Sequence, residues 1–303
     1  MSAWSPVAPC TPAGCVEPAV VRGAGRAALR LAAVTALVLA GIALLPAGRR
    51  IPAELTRRWC RWILWAAGVR VRLTGGAAPA GGLLIVANHI SWLDVPLLAA
   101  VRPARMLAKA EIRRWPVAGA LAARGGTLFI ERDGLRTLPG TVARIAGALR
   151  EGAAVAAFPE GSTWCGRARG RFRRAVFQAA LDAGVPVQPV RIRYRLTGGA
   201  VTTVPAFVGD DPLLASVWRV VSARGLVAEV DVRPALAPHG AADRRALAAA
   251  ARAALCEDTG APVTGGRHAE RPAGAAAPAA VRAGSAGTRQ ERRHAHGRAP
   301  HPG

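Results

Sequence analysis

The chain has 303 residues, 51% of them hydrophobic, and carries a formal net charge of +23 at pH 7. This length suits one domain of about 180–200 residues with additional segments. The charge predicts a partner with an anionic surface, and nucleic acid has to be considered. Only one Tyr and five Phe are available for base stacking, and no zinc-finger spacing or basic-region heptad occurs. The pattern therefore disfavours nucleic-acid binding and favours an anionic membrane surface or an acidic substrate.

The cysteines are too scattered to suggest a shared structural role. They form neither the C-x2-C pairs of metal sites nor a disulfide framework, so we expect no resident metal and a reducing, cytoplasmic environment. The five positions are Cys10, Cys15, Cys60, Cys165 and Cys256.

The N-terminal part of the sequence divides into two regions. Residues 1–25 are rich in Pro, Gly and Ala without periodicity, which predicts disorder. The run Ala27–Gly48 is apolar except for Arg30 and Thr35, and 22 residues of helix span about 33 Å. Two interpretations stay open, a membrane span and a helix lying within one leaflet. Arg30, near one end, is placed to snorkel, and arginines on both sides give no clear orientation.

A second amphipathic segment follows Pro52. Trp59, Trp62 and Trp65 alternate there with arginines, a composition typical of helices at a membrane interface. The alternative is a core-packing helix with an arginine-covered outer face. Residues 26–68 are accordingly predicted to be membrane-anchoring or interfacial helices.

From residue 69 onward, short apolar runs alternate with helical stretches. This order predicts an α/β fold over residues 69–256, with a largely parallel, buried sheet flanked by helices. Residues 257–303 lack periodicity and are predicted to be a disordered basic tail. The predicted strands are Val69–Leu73, Leu83–Ala87, Arg105–Ala108, Thr127–Ile130, Ala153–Phe158, Pro186–Arg193 and Leu226–Arg233. Helices are predicted after Ser91, Pro116, Leu135 and Arg173, and over Ala241–Leu255.

A histidine and a carboxylate five residues apart follow the second predicted strand. On one ideal helix His89 and Asp94 would lie about 140° apart, so they can meet only if His89 is in the turn and Asp94 in the first helical turn. His89 would then serve as a general base held by Asp94. The alternative is a capping box in which Ser91 caps the helix and Asp94 is its acidic third residue.

Other ionisable residues also fall at predicted strand ends. Lys109, the one lysine of the chain, Arg132 and Glu160 join His89 there. Active sites of parallel sheets gather at the carboxyl ends of the strands. Arg132 suits a phosphate, because a guanidinium binds phosphate through two hydrogen bonds; the alternative is a surface arginine paired with a neighbouring acid. We expect Lys109 to add a point charge, and the turn Glu160-Gly161 to grip the acceptor.

Four sequence blocks together resemble the glycerolipid acyltransferase family, which contains bacterial 1-acylglycerol-3-phosphate acyltransferases. They are Asn88–Asp94, the stretch from Lys109 to Arg132 ending in Phe-Ile-Glu-Arg, Phe158–Ser162 and Val185–Val190. The resemblance covers about residues 69–255. It implies transfer of a fatty acyl group from acyl carrier protein or coenzyme A to the hydroxyl of a lyso-lipid, without a resident cofactor. It also implies attachment to the plasma membrane, with the catalytic domain facing the cytoplasm.

The resemblance implies direct transfer, with His89 as the base. No G-x-S-x-G elbow offers a serine nucleophile, and Cys165 is more readily interpreted as a bystander than as the nucleophile of an acyl-enzyme. Arg191, Arg193 and Arg195 share one face of a predicted strand and suit the acidic carrier of the acyl donor.

The third block departs from the family pattern at one point. The family sequence often reads Phe-Pro-Glu-Gly-Thr-Arg-Ser, whereas Ser162-Thr163-Trp164 follows the glycine here. Lysophosphatidate is the first expected acceptor, and the substitution makes lyso-ornithine lipid the second. A basic membrane or nucleic-acid-binding protein without activity is the remaining alternative.

Overall fold

The computed structural model describes residues 8–19, 23–44, 46–47, 51–77, 79–115, 118–131 and 136–256. The strands are β1 Arg70–Gly75, β2 Leu83–Ala87, β3 Arg105–Lys109, β4 Leu128–Ile130, β5 Ala154–Ala157, β6 Val187–Leu196 and β7 Leu226–Val232. The α-helices are α1 Pro12–Cys15, α2 Ala24–Ala43, α3 Ala53–Ala66, α4 Asp94–Val101, α5 Ala118–Arg124, α6 Leu138–Arg150, α7 Ala175–Ala183, α8 Leu213–Ser222 and α9 Arg244–Cys256. Short 3₁₀ turns occupy Ala110–Arg114 and Pro238–Gly240.

The strands form one seven-stranded sheet in the order β1-β7-β6-β2-β5-β3-β4. Every neighbouring pair is parallel except β6 and β7, which run antiparallel. The predicted α/β class and largely parallel sheet are therefore confirmed. Because β2 lies between β6 and β5, it is completely buried, which explains its uninterrupted apolar sequence.

Alternate residues of β2 supply the two sides of the core. Leu83 and Ile85 belong to the apolar cluster that includes residues of α3, α4 and α8. Leu84 and Val86 belong to the other cluster, with residues of α6, α7 and α9. The sheet is thus covered by helices on both faces, as the period of two in a strand requires.

Each predicted strand is present within three residues at either end, but two helices of the described residues were not predicted, the four-residue α1 and α8. Helix α8 begins after Pro212 and is only ten residues long. Three of its ten residues, Ser216, Arg219 and Ser222, are polar and recur every three positions, a helical spacing from which the helix was predictable. The connection through α8 brings the chain back as β7, antiparallel to β6 and parallel to β1.

The prediction of disorder for residues 1–25 is wrong for residues 8–19. Cys10 is buried in the core, and Thr11 caps α1 through its hydroxyl, which accepts a bond from the Gly14 N–H. Glu17 Oε2 accepts a hydrogen bond from the Thr202 hydroxyl at 2.8 Å. These contacts join the segment to residues almost 190 positions away, which no local composition reveals.

Helix α2 packs on helices α3 and α8. The Arg30 guanidinium, expected to snorkel, instead donates to the carbonyls of Val221 and Ala223 at 3.0 and 2.9 Å, where α8 ends. Trp59 of α3 donates from its indole N–H to the Leu37 carbonyl of α2 at 2.9 Å. By length and composition alone, α2 is able to cross a membrane.

Helix α3 combines the two interpretations made from its sequence. Cys60, Ile63 and Leu64 are buried in the protein. On the other side Trp62 is 50% and Trp65 79% exposed. One face of the helix is therefore core, and the other presents aromatic side chains to the surroundings.

Several sequence predictions concern residues outside the described part of the chain. Arg132, Pro116 and Leu135, named as a binding residue and two helix boundaries, are among them. The predicted disordered tail, 257–303, also lies outside it.

Candidate active site

The turn after β2 is fixed to its surroundings by backbone contacts. The Asn88 side chain donates to the Ile192 carbonyl at 2.9 Å and accepts from the Ile192 N–H at 2.8 Å, which ties the turn to β6. The Ile90 carbonyl accepts a bond from the Phe207 N–H, and the His89 carbonyl one from the Trp164 N–H. Residues 88–90 are thus held from three separate parts of the chain.

Asp94 is the most buried ionisable group of this turn, with no exposed surface. Its Oδ2 accepts bonds from the backbone N–H groups of Ile90 and Ser91 at 2.6 and 2.9 Å. Its Oδ1 accepts a bond from the Tyr194 hydroxyl at 2.6 Å. Such donors offset the cost of burying a carboxylate. Burial, together with Asp94, raises the pKa of Tyr194 well above its ordinary value, so the phenol stays a proton donor.

The predicted contact between His89 and Asp94 is confirmed. His89 Nδ1 lies 2.9 Å from Asp94 Oδ2. The imidazole also stacks on the Phe158 ring, with centroids 3.9 Å apart and an angle of 9° between the planes. When Asp94 is a carboxylate, the imidazole proton is on Nδ1, and this N–H donates a hydrogen bond to Asp94 Oδ2. Nε2 then has the lone pair that a general base needs.

Only part of the predicted capping box is formed at this turn: Asp94 binds the Ser91 N–H, but the N-cap of α4 is Leu93, which has no side-chain cap. The Ser91 hydroxyl accepts a bond from the Leu93 N–H at 3.2 Å, and α4 begins at Asp94. The same carboxylate that contacts His89 therefore also binds backbone N–H groups ahead of the helix. Capping and orientation of the imidazole are two results of one geometry, and they need not be alternatives.

Glu160 holds the backbone on which His89 sits. Its Oε2 accepts a bond from the His89 N–H at 2.9 Å, and its Oε1 one from the Gly170 N–H at 3.0 Å. The residue is 3% exposed. Burial raises the pKa of Glu160 from 4.5 to about 7, although both backbone hydrogen bonds act in the opposite direction.

A cavity of about 180 Å³ opens beside these groups. His89 and Glu160 line it together with three cationic side chains, Arg169, Arg191 and Arg193. Its remaining lining residues are Asn88, Ile90, Trp164, Cys165, Gly166, Ala168, Ile192, Tyr194, Val201 and Thr202. A base, positive charge and apolar surface therefore share one site, which suits an acceptor with an anionic head and a lipid chain.

Two predicted binding residues lie apart from this cavity. Lys109 ends β3 and is exposed, at the same end of the sheet as His89 but outside the cavity lining. Gly161 has a φ of 77°, which favours glycine, and its N–H closes a turn onto the Phe158 carbonyl. The structure brings together His89, Asp94 and Glu160; Arg132 lies outside the described residues.

Three residues near the base escaped the sequence reasoning. Tyr194, which binds Asp94, is the one tyrosine of the chain and follows an arginine on β6. Its rarity is a signal that could have been used. Asn88 precedes the histidine directly, and Trp164 follows Thr163, which stands where the family pattern has an arginine. The spacing of these residues along the chain does not reveal their partners.

The arginines of β6 have divided roles. Arg191 is buried and lines the cavity. Arg195 pairs with Glu229 at 2.9 Å, and Arg193 and Arg72 approach the same carboxylate at 3.9 and 4.0 Å. Three guanidinium groups around one glutamate leave this surface positively charged.

Comparison with known proteins shows similarity to one family of enzymes. The model of a family described as Acyltransferase matches residues 69–193. A lyso-ornithine lipid O-acyltransferase of Pseudomonas aeruginosa is 42% identical over 204 residues, 67% of this chain and 77% of that protein. One of Rhodobacter capsulatus is 32% identical, over 79% and 92% of the two chains. A 1-acyl-sn-glycerol-3-phosphate acyltransferase of Neisseria gonorrhoeae is 39% identical, over 50% and 58%.

A solved structure has the same fold. It is the 1-acyl-sn-glycerophosphate acyltransferase PlsC of Thermotoga maritima, with a TM-score of 0.51 and 17% identity. The similarity covers 75% of this chain and 95% of that one.

Proposed function

Because the chain belongs to the acyltransferase family, we propose that it transfers a fatty acyl group from a thioester to the free hydroxyl of a lyso-lipid. The observation that carries this proposal is the His89–Asp94 pair, which faces a cavity lined by arginines. Direct transfer requires no nucleophilic side chain in addition to this base.

In the proposed reaction His89 is the base and then the acid. Its Nε2 takes the proton of the acceptor hydroxyl as the oxygen attacks the thioester carbonyl. Asp94 stabilises the imidazolium that forms. When the tetrahedral intermediate collapses, the C–S bond breaks and the leaving thiolate takes the proton from the imidazolium. Arg191 and Arg193 supply positive charge beside the oxyanion or the acceptor head group.

We propose lyso-ornithine lipid as the first acceptor and lysophosphatidate as the second. Trp164 lines the cavity, and its ring packs on Gly170 so closely that a Cβ there would lie 2.6 Å from Nε1. Thr163 stands at the position of the family's arginine, so a possible phosphate contact is lost, and the fixed indole of Trp164 beside it adds apolar surface to the cavity. The names of the Pseudomonas and Rhodobacter relatives, which match more of their length than the Neisseria one, support the same order. The Phe-Ile-Glu-Arg sequence ending at Arg132 supports lysophosphatidate.

The acyl donor in this proposal is acyl carrier protein or coenzyme A, used as a co-substrate. Both are strongly anionic around the thioester arm. The positive surface formed by Arg72, Arg193 and Arg195 is complementary to such a carrier.

We further propose that the protein is held on the anionic cytoplasmic face of the plasma membrane by a surface of helices rather than by a free span. Helix α2 is bound to α3 and α8 through Trp59 and Arg30. Large apolar side chains are exposed on all three helices, namely Leu29, Leu39, Trp62, Trp65, Leu214 and Trp218. Such a surface suits insertion into one leaflet.

The test of the reaction is an assay of membranes containing the full chain, with a labelled acyl donor and a panel of lyso-lipids. His89→Ala protein at equal abundance is the control. We expect labelled ornithine lipid, with less phosphatidic acid. Products from neither acceptor would refute the proposed function, and phosphatidic acid alone would reverse the order of acceptors.

Arg132 provides a second test of the acceptor. Arg132→Lys keeps the charge but loses the two-bond contact, so it should raise the KM for lysophosphatidate more than that for lyso-ornithine lipid. An equal rise in KM for both acceptors would show that Arg132 does not recognise the phosphate.

Membrane attachment is tested by washing membranes that contain the protein with alkaline carbonate or with high salt. Full-length protein should resist alkaline carbonate, whereas replacement of the exposed Trp62, Trp65 and Leu214 by Glu should release much of it at high salt, since electrostatic attraction of the basic domain is then screened. A full-length protein in the soluble fraction would exclude this anchor.

A further inference from the structure

Three cysteine sulfurs that are remote in sequence converge beside the cavity. Cys10 and Cys15 come from the N-terminal segment and Cys165 from the loop after β5. All three Sγ atoms lie within 4.8 Å of one another. Cys10 and Cys165 are buried and Cys15 is partly exposed. The remaining cysteines, Cys60 and Cys256, do not belong to this cluster.

Independent contacts hold the two pieces of backbone in place. Glu17, two residues after Cys15, accepts bonds from Thr202 and from the Thr203 N–H, and pairs with Arg167 at 2.6 Å. On the other side the Trp164 N–H donates to the His89 carbonyl at 2.8 Å. The three sulfurs therefore approach one another on a frame that does not depend on them.

The sulfur of Cys165 accepts hydrogen bonds from the backbone. The backbone N–H groups of Arg167 and Ala168 contact it, together with the thiols of Cys10 and Cys15. Backbone N–H bonds to sulfur are the outer contacts that orient thiolate ligands around metals.

The distances suit a metal ion better than a disulfide. A disulfide uses two sulfurs, and a third here would have no role. With Zn–S bonds of about 2.3 Å and tetrahedral angles, ligand sulfurs lie about 3.8 Å apart. Small side-chain rotations bring sulfurs within 4.8 Å to that distance.

We propose that Cys10, Cys15 and Cys165 bind one thiophilic metal ion, with Zn²⁺ as the occupant and a solvent molecule or small ligand at the fourth position. Three thiols lose their protons to the solvent as three metal–sulfur bonds form, so affinity rises with pH. Because Trp164, which precedes Cys165, binds the His89 backbone, the ion fastens the N-terminal segment to the loop that supports the base. Its role is structural, and it takes no part in acyl transfer.

The experiment uses the full chain in detergent, reduced and stripped of metal by a chelator. Cd²⁺, a spectroscopic substitute for Zn²⁺, is added while the ultraviolet absorbance of thiolate-to-metal charge transfer is followed. We expect saturation at one Cd²⁺ per chain, with the intensity of three thiolates. Zn²⁺ should displace the signal, and bound Zn²⁺ should raise the melting temperature.

Matched cysteine variants assign the ligands. C10S, C15S and C165S should each weaken binding by more than about 100-fold, because even outer contacts of metal ligands contribute 10–100-fold. C60S changes a buried cysteine and C256S an exposed one, and both should bind as the wild type does. C15S changes the most exposed of the three ligands, so it tests the site with the least disturbance of folding.

Three results would overturn the proposal. They are absence of stoichiometric binding to the reduced, folded protein, equal weakening by C60S, and a disulfide joining two of the three cysteines in protein purified with metal. None of these measurements uses a substrate, so a negative result for metal binding can be distinguished from a negative result for the proposed acyl transfer.

Discussion

Asp94 and Glu160 are two buried carboxylates on either side of the same histidine, and they contact different parts of it. Asp94 meets the imidazole at Nδ1 and is itself bound by the Tyr194 hydroxyl and two backbone N–H groups. Glu160 meets the His89 backbone N–H and the Gly170 N–H. Asp94 therefore controls the state of the ring, whereas Glu160 controls where the ring is placed.

The comparison shows that burial of an acid has no single meaning. Asp94 takes part in four hydrogen bonds, which stabilise its negative charge, and this charge in turn stabilises the imidazolium of His89. Glu160 accepts only two backbone hydrogen bonds, which do not offset its burial, and its pKa rises to about 7. Substitutions at the two sites should accordingly change rate and stability in different proportions.

The largest effect is expected from removal of the base. His89→Ala should lower kcat by about 10²–10⁴-fold, the usual range for a general base, with a circular dichroism spectrum like that of the wild type. Steady-state kinetics on both acceptors would measure it. Retention of most of the turnover would mean that another group takes the proton.

Asp94→Asn should have the next largest effect. The amide cannot accept bonds from His89, Ile90 and Ser91 as the carboxylate does, so we expect a loss of about 10–10³-fold in kcat and about 1–3 kcal/mol in stability. Ser91→Ala is the control, because it removes the hydroxyl contact with Leu93 and leaves the Asp94 carboxylate in place. Full activity of Asp94→Asn with reduced stability would leave capping as the sole role of Asp94.

Tyr194→Phe should produce a smaller change on the same side of the comparison. It removes one hydrogen bond to Asp94 at 2.6 Å, for which we expect a stability loss of about 0.5–1.5 kcal/mol, the net contribution of a typical hydrogen bond. The rate should fall less than for Asp94→Asn, since the His89 contact remains. Denaturant unfolding and kinetics on one preparation would separate the two effects; a rate loss larger than that of Asp94→Asn would contradict the assigned order.

Glu160→Gln should have the smallest of these effects, a change in how the free energy of unfolding depends on pH. The folded protein holds the Glu160 proton up to about pH 7, while the unfolded chain loses it near 4.5. Between these values stability falls as pH rises, by about 1.4 kcal/mol per pH unit from this group. The Gln variant lacks this slope. Urea unfolding of both proteins at several pH values would measure the difference, and parallel curves would show that Glu160 is ionised throughout.

Much of the fold was readable because its signals are local. Uninterrupted apolar runs such as Leu83–Ala87 indicated buried strands, and their alternation with helices indicated a parallel sheet. The five-residue spacing of His89 and Asp94 was enough to place one in the turn and the other in the helix. The ordered segment 8–19 was missed because it depends on contacts with distant residues, whereas α8 was missed although its polar residues recur at a helical spacing.

The sequence by itself determined the residue types that do chemistry and the strand ends on which they lie. Which side chains share a site was decided by the tertiary structure. Tyr194 reaches Asp94 across 100 positions, and Cys10 and Cys15 reach Cys165 across 150 or more. Lys109, at an equally suitable strand end, stays outside the cavity. The physical reason is that spacing along a chain limits only local distances, whereas sheet order and loop packing decide which remote groups meet.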